Sequence, residues 1–332
     1  MLAIMHPELI PPSPIGFADT ATADWKTEFD VTETLRELGH DVRCLGLGDD
    51  LGVLREAIVD FDPHIVFNLA EAFADIPSLE HNVVAYLELK RMAYTGCGSR
   101  GLMLARDKPL AKRLLAYHRI PGPDFTIVPR GRKVRRPARL GFPLIVKSAT
   151  LDASIGISQA SVVRNDARLA ERVRLVHDKI GTDALIEQYI DGRELYVGIT
   201  GNHRLETFPV WELAFDRMQS QHRIASERLK WNTAYQKRHG IRTHEAKDLS
   251  QAERSSIQAI CKRVYRSLYL NGYGRIDLRL DAAGDVFVME ANPNPQLAFG
   301  EDFAESAERA GVSYSRLIQR IVNLGLRWTA HE

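Results

Sequence analysis

Apolar residues along the chain recur with two periods, and the two periods separate helices from strands. HIVFNL at 64–69 follows Asp62-Pro63 as a short unbroken apolar run, which predicts a strand. From Ser78 onward Val83, Leu87 and Lys90 fall at helical spacing with Val84 and Leu89 alongside, which predicts a helix. Asp107 stands where it can cap a further helix with Leu110, Leu114 and Leu115 on its inner face. Three more amphipathic faces follow: Leu169, Val173, Val176 and Ile180; then Ile257, Ile260, Val264 and Leu268; then Tyr314, Leu317, Ile321 and Leu324. All are expected to pack against a core. Strand-like runs lie between them: PLIVKS (143–148), ALIEQYI (184–190), ELYVGI (194–199), IDLRLD (276–281) and VFVME (286–290).

Many of the segments linking these strands are too short for helical crossovers, so much of the later sheet is expected to be antiparallel. The first hundred residues alternate more like an α/β unit. The expected fold class is therefore α/β followed by α+β material split in two. With 332 residues there is ample chain for two or three domains. Lys+Arg 44 against Asp+Glu 43 leaves a net charge of +1, which argues against a protein that coats DNA or a membrane surface. No apolar run is long enough for a transmembrane helix, and with prolines near the start no signal peptide is expected. Three distant cysteines (Cys44, Cys97, Cys261) without CxxC suit reduced thiols in a cytoplasmic protein.

The most informative segment is GRIDLRLDAAGDVFVMEANPNP (274–295). Asp281 and Val286 flank a four-residue loop, 282–285, whose Gly284 suits a turn. If Asp281 pairs with Val286, Asp277 stands opposite Glu290 and Arg275 opposite Asn292. Ile276, Leu278 and Leu280 then share one face with Phe287, Met289 and Ala291, and the four polar residues share the other. Opposed carboxylates about 5 Å apart repel one another. A cation between them removes the conflict, and two carboxylates with an amide suit Mg²⁺ completed by phosphate and water. Arg275 beside them could hold an oxygen on which charge develops. A solvated face, its acids neutralised by the arginines, is the competing expectation.

These residues resemble the ATP-grasp superfamily, most closely its D-alanine–D-alanine ligase branch, from about Asn68 to the C-terminus. RIDLRLD followed by MEANPNP is similar to the branch's metal hairpin, which implies Asp277, Glu290 and Asn292 as magnesium ligands. Arg275 matches the arginine that stabilises the acyl-phosphate and tetrahedral species. YLELKRMAYTGCGSRGLMLARDKPLAKRLL (86–115) is similar to the family's LE…YTG…DK…K segment, which implies Lys108 as a phosphate contact. FPLIVKS matches the strand with the second phosphate lysine, Lys147. TLDASIGIS (150–158) resembles the mobile phosphate lid, with Ser154, Ile155 and Gly156 matching. ALIEQYIDGREL matches the adenine hinge, which implies Glu187 and Ile190 at the base edge and Glu194 at the ribose; Met289 matches the side chain packed on adenine.

The resemblance implies a three-domain ATP-grasp fold, with an α/β N-terminal domain and two α+β domains clasping ATP. The expected boundaries are 1–104 for the N-terminal domain, 105–195 for the central lid domain and 196–332 for the C-terminal domain with the metal site. It also implies ATP and Mg²⁺ as cofactors, two ions with Mn²⁺ as a substitute, small-molecule carboxylate and amine substrates, and a homodimer. No nucleic acid or membrane partner is expected.

The chain departs from the ligase pattern where the amino acids bind. No GGxSxE turn occurs between Met1 and Asp30, and FNLAEAFADIPSLEHN (67–82) replaces HGxxGEDG, leaving Asn68 and Glu71 as either substrate contacts or a solvated strand end. Ala153 stands in place of the first lid serine. Lys230-Trp231 stands in place of the lysine–tyrosine pair, so Lys230 keeps the γ-phosphate role while an indole, a donor only, replaces a phenol. NPNPQLAFGEDFAESA (292–307) replaces the glycine–serine stretch that binds the second D-alanine. The expected reaction is ATP-dependent ligation of a carboxylate and an amine through an acyl phosphate, on substrates other than two D-alanines. The alternatives are an authentic D-alanine–D-alanine ligase with a divergent pocket and an ATP-binding protein that no longer ligates.

Three other features carry less. Gly96 to Gly101 fits GxGxxG, but no acidic strand end follows about 20 residues on, so the dinucleotide fingerprint fails. RGRKVRRPAR (130–139) is expected to be an exposed loop. The 11 histidines form no HxH or HExxH, and Cys97 in its glycine turn is expected to be structural.

Overall fold

The structure is a computed structural model that describes residues 1–12, 22–151, 156–215 and 240–329. Three β-sheets organise it, and each is built differently. The first is parallel, with strands in the order β2-β1-β3: β1 (Leu2–Met5), β2 (Arg43–Gly46) and β3 (Val66–Asn68). Between these strands run α1 (Lys26–Glu37) and α2 (Leu51–Phe61), the crossovers that a parallel pair requires. All four residues of β1 are buried, as a strand covered on both faces must be.

Three helices follow: α3 (Glu80–Leu89), α4 (Ser99–Arg106) and α5 (Lys108–Tyr117). Asp107 caps α5 as expected, its carboxylate accepting from the Leu110 N–H at 2.9 Å. Of the expected inner face of α5, Leu115 is buried and Leu114 packs partly buried on the core, but Leu110 is corrected to an exposed position, and Lys108, Pro109, Ala111 and Lys112 are buried as well. The apolar pattern misleads at Leu110 because α5 turns two lysines inward, Lys112 to the buried Glu187 and Lys108 toward Glu290. In α3, Val83, Val84 and Leu87 are buried as expected, whereas Leu89 in the last turn is exposed.

The second sheet is antiparallel, in the order β4-β7-β5-β6, from β4 (Phe125–Val128), β5 (Leu144–Ser148), β6 (Val162–Val163) and β7 (Ala184–Gln188). Its outer face, with Leu144, Val146 and Ile186, packs on α6 (Asp166–Leu175) through Leu169 and Val173. The third sheet joins β8 (Arg193–Thr200), β9 (Glu206–Thr207), β10 (Trp211–Phe215), β11 (Ile241–Glu245), β12 (Tyr273–Leu280) and β13 (Val286–Pro293). Helix α7 (Gln251–Ser267) sets Ile257, Cys261, Val264 and Tyr265 against the Ile276–Leu278–Leu280 face of β12. Its start is fixed by a capping box between Ser250 and Glu253. The chain ends in α8 (Asp302–Arg309) and α9 (Tyr314–Leu326), whose Leu317, Ile321 and Val322 join α1 in covering one face of the parallel sheet. Both later sheets thus carry a helix on one face and leave the other toward a common cleft. Among the described residues no helix is long and apolar enough to cross a membrane.

Two motifs outside the cleft have structural uses. The GxGxxG segment joins the halves of the molecule: the Cys97 N–H donates to Asn294 Oδ1 at 2.9 Å and the Gly98 N–H to Asn271 Oδ1 at 2.7 Å. Gly96 adopts φ +90°, and a Cβ there would stand 2.4 Å from Asn294 Oδ1, so this turn requires glycine. The Cys97 thiol is fully buried and donates to the carbonyls of Asn271 and Tyr273. In the basic segment, Arg130, Arg132, Lys133, Arg135 and Arg139 are exposed, as expected of a loop.

Candidate active site

The floor of the cleft is β12, an inner strand of the third sheet. β12 pairs on one side with β13, placing Asp277 opposite Glu290 and Arg275 opposite Asn292, as the sequence predicts. The turn register differs from the expected one, because Leu280, not Asp281, pairs with Val286. A β-bulge reconciles the two: Asp277 pairs with Glu290 but Leu278 pairs with Val288, leaving Met289 as the extra residue. The face assignment changes with it. Val288 and Ala291 are buried in the core, while Phe287 and Met289 are only half-buried, Phe287 standing opposite Arg279. The bulge also matters chemically, since the Met289 carbonyl accepts from Lys112 Nζ at 3.1 Å.

On its other side β12 pairs with β8, so Tyr196 stands beside Asp277 and Glu194 beside Arg279. The polar face is therefore a grid. Arg275 donates through Nε and Nη2 to the two oxygens of Asp277, at 2.7 and 2.9 Å, and lies over the Tyr196 ring at 4.7 Å. The Tyr196 hydroxyl donates to Glu194 Oε1 at 2.9 Å, and Arg279 donates to Glu194 Oε2 at 2.7 Å and to the Ile190 carbonyl at 3.0 Å. This is no solvated hairpin, since Asp277 and Arg279 are 7% and 5% exposed. Burial alone would weaken the charge on Arg275, but the Asp277 carboxylate outweighs it and holds the guanidinium well above its ordinary pKa.

The second sheet and α5 supply the opposite wall. Glu187 on β7 is fully buried, with Lys112 Nζ 2.6 Å from Oε1 and Lys147 Nζ 2.6 Å from Oε2. Burial favours the neutral acid, but the two ammonium groups outweigh it and keep Glu187 below its ordinary pKa. Lys147 is raised, because Glu187 and then Glu290 overcome its burial. Lys112 is lowered, because burial, with repulsion from Lys147, prevails over Glu187. Lys108 donates to the Leu151 carbonyl at 3.0 Å and lies 3.8 Å from Glu290 Oε2. At the end of the segment expected to form the lid, the Gly156 carbonyl accepts from Arg172, which also donates to Ser161 Oγ at 2.7 Å. Ser154, Ile155, Lys230 and the flanking Ala153 and Trp231 lie outside the described residues.

The structure thus gathers Lys108, Lys147, Glu187, Ile190, Glu194, Arg275, Asp277, Met289, Glu290 and Asn292 about one cleft. Sequence reasoning assigned no role there to Lys112, Tyr196, Arg279 or Arg172. Lys112 had a legible signal, four residues after Lys108 and so on the same helical face. The partners of Arg279 and Tyr196 come from another strand and carry no local signal.

The donor set fits a hard divalent cation. Asp277, Glu290 and Asn292 offer two carboxylates and an amide, and the buried Asn292 Nδ2 has no hydrogen-bond partner among the described residues. No group of three or more His, Cys, Asp or Glu side chains forms a self-sufficient metal cage among the described residues. Such a site suits Mg²⁺, which takes few protein carboxylates and completes its shell with water and phosphate.

A split cleft with a carboxylate-bearing hairpin on its floor and lysines on its wall accords with the ATP-grasp ligase class, to which its family and relatives assign the chain. The chain belongs to the family described as D-ala D-ala ligase C-terminus, which matches residues 114–323. It is 33% identical over 305 residues to the uncharacterized protein y4sG of Sinorhizobium fredii, covering 90% of this chain and 86% of that one. It is 31% identical over 309 residues to a D-alanine–D-alanine ligase of Ralstonia nicotianae, covering 86% and 87%. The fold matches the crystal structure of a D-alanine–D-alanine ligase from Bacillus anthracis complexed with ATP, at a TM-score of 0.74 and 19% identity, over 98% of this chain and 97% of that one.

Proposed function

We propose that this ATP-dependent ligase joins a carboxylate to an amine through an acyl phosphate, on an amino acid and a partner that is an amino acid, a peptide or a natural-product precursor. The substrate carboxylate attacks the γ-phosphorus of ATP, releasing ADP. The amine then attacks the acyl carbon, giving up a proton, and phosphate leaves as the amide forms. The observation that carries this reading is the pairing of Asp277 with Glu290, with Arg275 and Asn292 paired next to them, on a largely enclosed face beside Lys108.

Asp277, Glu290 and Asn292 would hold Mg²⁺, which supplies charge neutralisation on the transferring phosphoryl group. Lys108, Lys147 and the 154–156 lid (Ser154, Ile155, Gly156) hold the triphosphate, and Lys230 meets its γ-phosphate. Glu187 and Ile190 take the base edge, Glu194 the ribose, and Met289 packs on the adenine. Arg275 stabilises the oxyanion once it turns from Asp277 toward the substrate. The division into 1–104, 105–195 and 196–332 belongs to the same reading and is supported by three separate sheets, with β8 from Arg193 already in the third. The reading also includes a cytoplasmic homodimer.

The segment after the hairpin, with Phe299 in the stretch that replaces the glycine–serine pattern, supports a departure from two D-alanines. The segment after the hairpin is tied to α1, with the Phe299 N–H donating to Asp30 Oδ2 at 2.9 Å and Lys26 donating to the Phe299 carbonyl at 2.8 Å. A bulky, pinned Phe299 lies in the stretch that replaces the glycine–serine pattern. The named relatives favour a second reading, an authentic D-alanine–D-alanine ligase. Mg²⁺-dependent phosphate release across single and paired D- and L-amino acids, with products weighed, separates the two. A mixed dipeptide or larger amide supports the first, and D-alanine alone sufficing overturns it.

A further inference from the structure

Glu187 poses a physical problem that its two lysines answer. A carboxylate with no exposure, paired with a single ammonium, would hold it fast, since its departure would leave an uncompensated buried anion. On the reading above, Lys147 must reach nucleotide phosphates, yet here its ammonium lies 2.6 Å from Glu187 Oε2. Lys112 occupies the other oxygen at the same distance and is anchored separately by the Met289 carbonyl at the bulge, 3.1 Å away. One carboxylate between two ammonium groups leaves a surplus positive charge in a buried site.

We propose that Lys112 is a positioning residue of the nucleotide site, holding Glu187 so that Lys147 can leave it for the phosphates of a nucleoside triphosphate. Lys112 itself stays on Glu187 and the Met289 carbonyl, which fixes the carboxylate and the bulge in one arrangement. Its burial on α5 and its second acceptor make it the cation that remains. Lys147, whose side chain is the more exposed of the two at 13% against 8% and is also drawn by Glu290, is the cation that moves. The inference rests on the assignment of Lys147 to the phosphates.

The test is a coupling measurement on the full chain, with Mg²⁺ and a non-hydrolysable ATP analogue titrated by calorimetry. Lys112→Met in the native background should weaken binding by about tenfold, because Glu187 then holds Lys147. In the Glu187→Gln background the same substitution should cost less than about threefold, because the trapping charge is gone. Lys112→Arg should stay within about threefold of the parent, since it keeps a cation against Glu187. Equal losses in both backgrounds, or no loss in the native one, would overturn the proposal, whatever the substitution does to thermal stability. If Lys112→Met does not fold, the Lys112→Arg chain and labelling of Lys147 by an amine-reactive ester decide. Modification of Lys147 that nucleotide fails to suppress counts against the hand-over. Nucleotide binding unaffected by Lys147→Met would instead sink the assignment of Lys147 to the phosphates, and with it this inference.

Discussion

Arg275 and Asp277, two residues apart on β12, share one face of the strand and close on each other through two parallel hydrogen bonds of 2.7 and 2.9 Å. The pair joins two roles in the same site, since the carboxylate is a proposed metal ligand and the guanidinium a proposed oxyanion donor. Asp277 is buried and Arg275 only half-buried, and each is the other's charge compensation until substrate and cation arrive.

That relationship separates two substitutions that look equivalent. Asp277→Asn removes a proposed metal ligand and also leaves the half-buried Arg275 guanidinium without its carboxylate, so it should abolish turnover and cost about 2 kcal/mol of stability. Glu290→Gln touches a more exposed side chain, 29% accessible, and should abolish turnover while shifting stability by less than about 1 kcal/mol. Urea unfolding of both variants beside phosphate-release assays checks the contrast. Equal destabilisation would count against the Arg275–Asp277 account.

Glu28 in the first turn of α1 should give the protein a pH-dependent stability. Burial, followed by the nearby Glu71 charge, pushes its carboxyl up to about 7 from an ordinary value of 4.5, and its Oε2 has no partner among the described residues. Between those values the native state binds the proton that the unfolded chain has lost. Stability should therefore fall as pH rises from about 4.5 to 7 and level off above, by about 3 kcal/mol in total. Glu28→Gln should flatten this part of the curve in urea melts taken across the window. A wild-type curve with no downward slope there would refute the assignment.

Arg172 holds the end of the segment proposed as the phosphate lid. Its guanidinium meets Ser161 Oγ and the Gly156 carbonyl, has a buried Nε without a partner among the described residues, and is pulled down from its ordinary pKa by burial. Arg172→Met should loosen the lid and raise the KM for ATP about tenfold with a smaller change in kcat. Steady-state titration of ATP reads both parameters, and a purely kcat effect would exclude lid anchoring.

The three cysteines should react unequally. Burial pushes the Cys97 thiol up to about 12 and raises Cys261 as well, whereas Cys44 is half-buried. Under native conditions a thiol reagent should modify Cys44 alone, and all three after denaturation. Mass mapping of the labelled peptides checks this, and early labelling of Cys97 would contradict its structural role.

Much of this molecule was legible in one dimension. The helical faces at 169–180, 257–268 and 314–324 form α6 with its following turn, α7 and α9, because a repeated apolar spacing buries one face wherever a core exists. The antiparallel character of the later sheets follows from short links, and the facing of Asp277 and Glu290 follows from alternation along paired strands. What was not legible depended on groups distant in sequence. Leu110 points outward and Lys112 inward because the charge that attracts Lys112 sits on Glu187, 75 positions later.

The sequence by itself therefore determined the order of elements, the opposed acids and the chemistry they suit, since these depend on periodicity and residue type within one segment. Tertiary structure alone decided the register of the turn and the bulge at Met289, because the bulge carbonyl and the Val288 N–H find partners in Lys112 and Pro121, far away along the chain. It also decided which cations meet which anions in the cleft. Those pairings are set by desolvation and distance across sheets, and no spacing within a single segment records either.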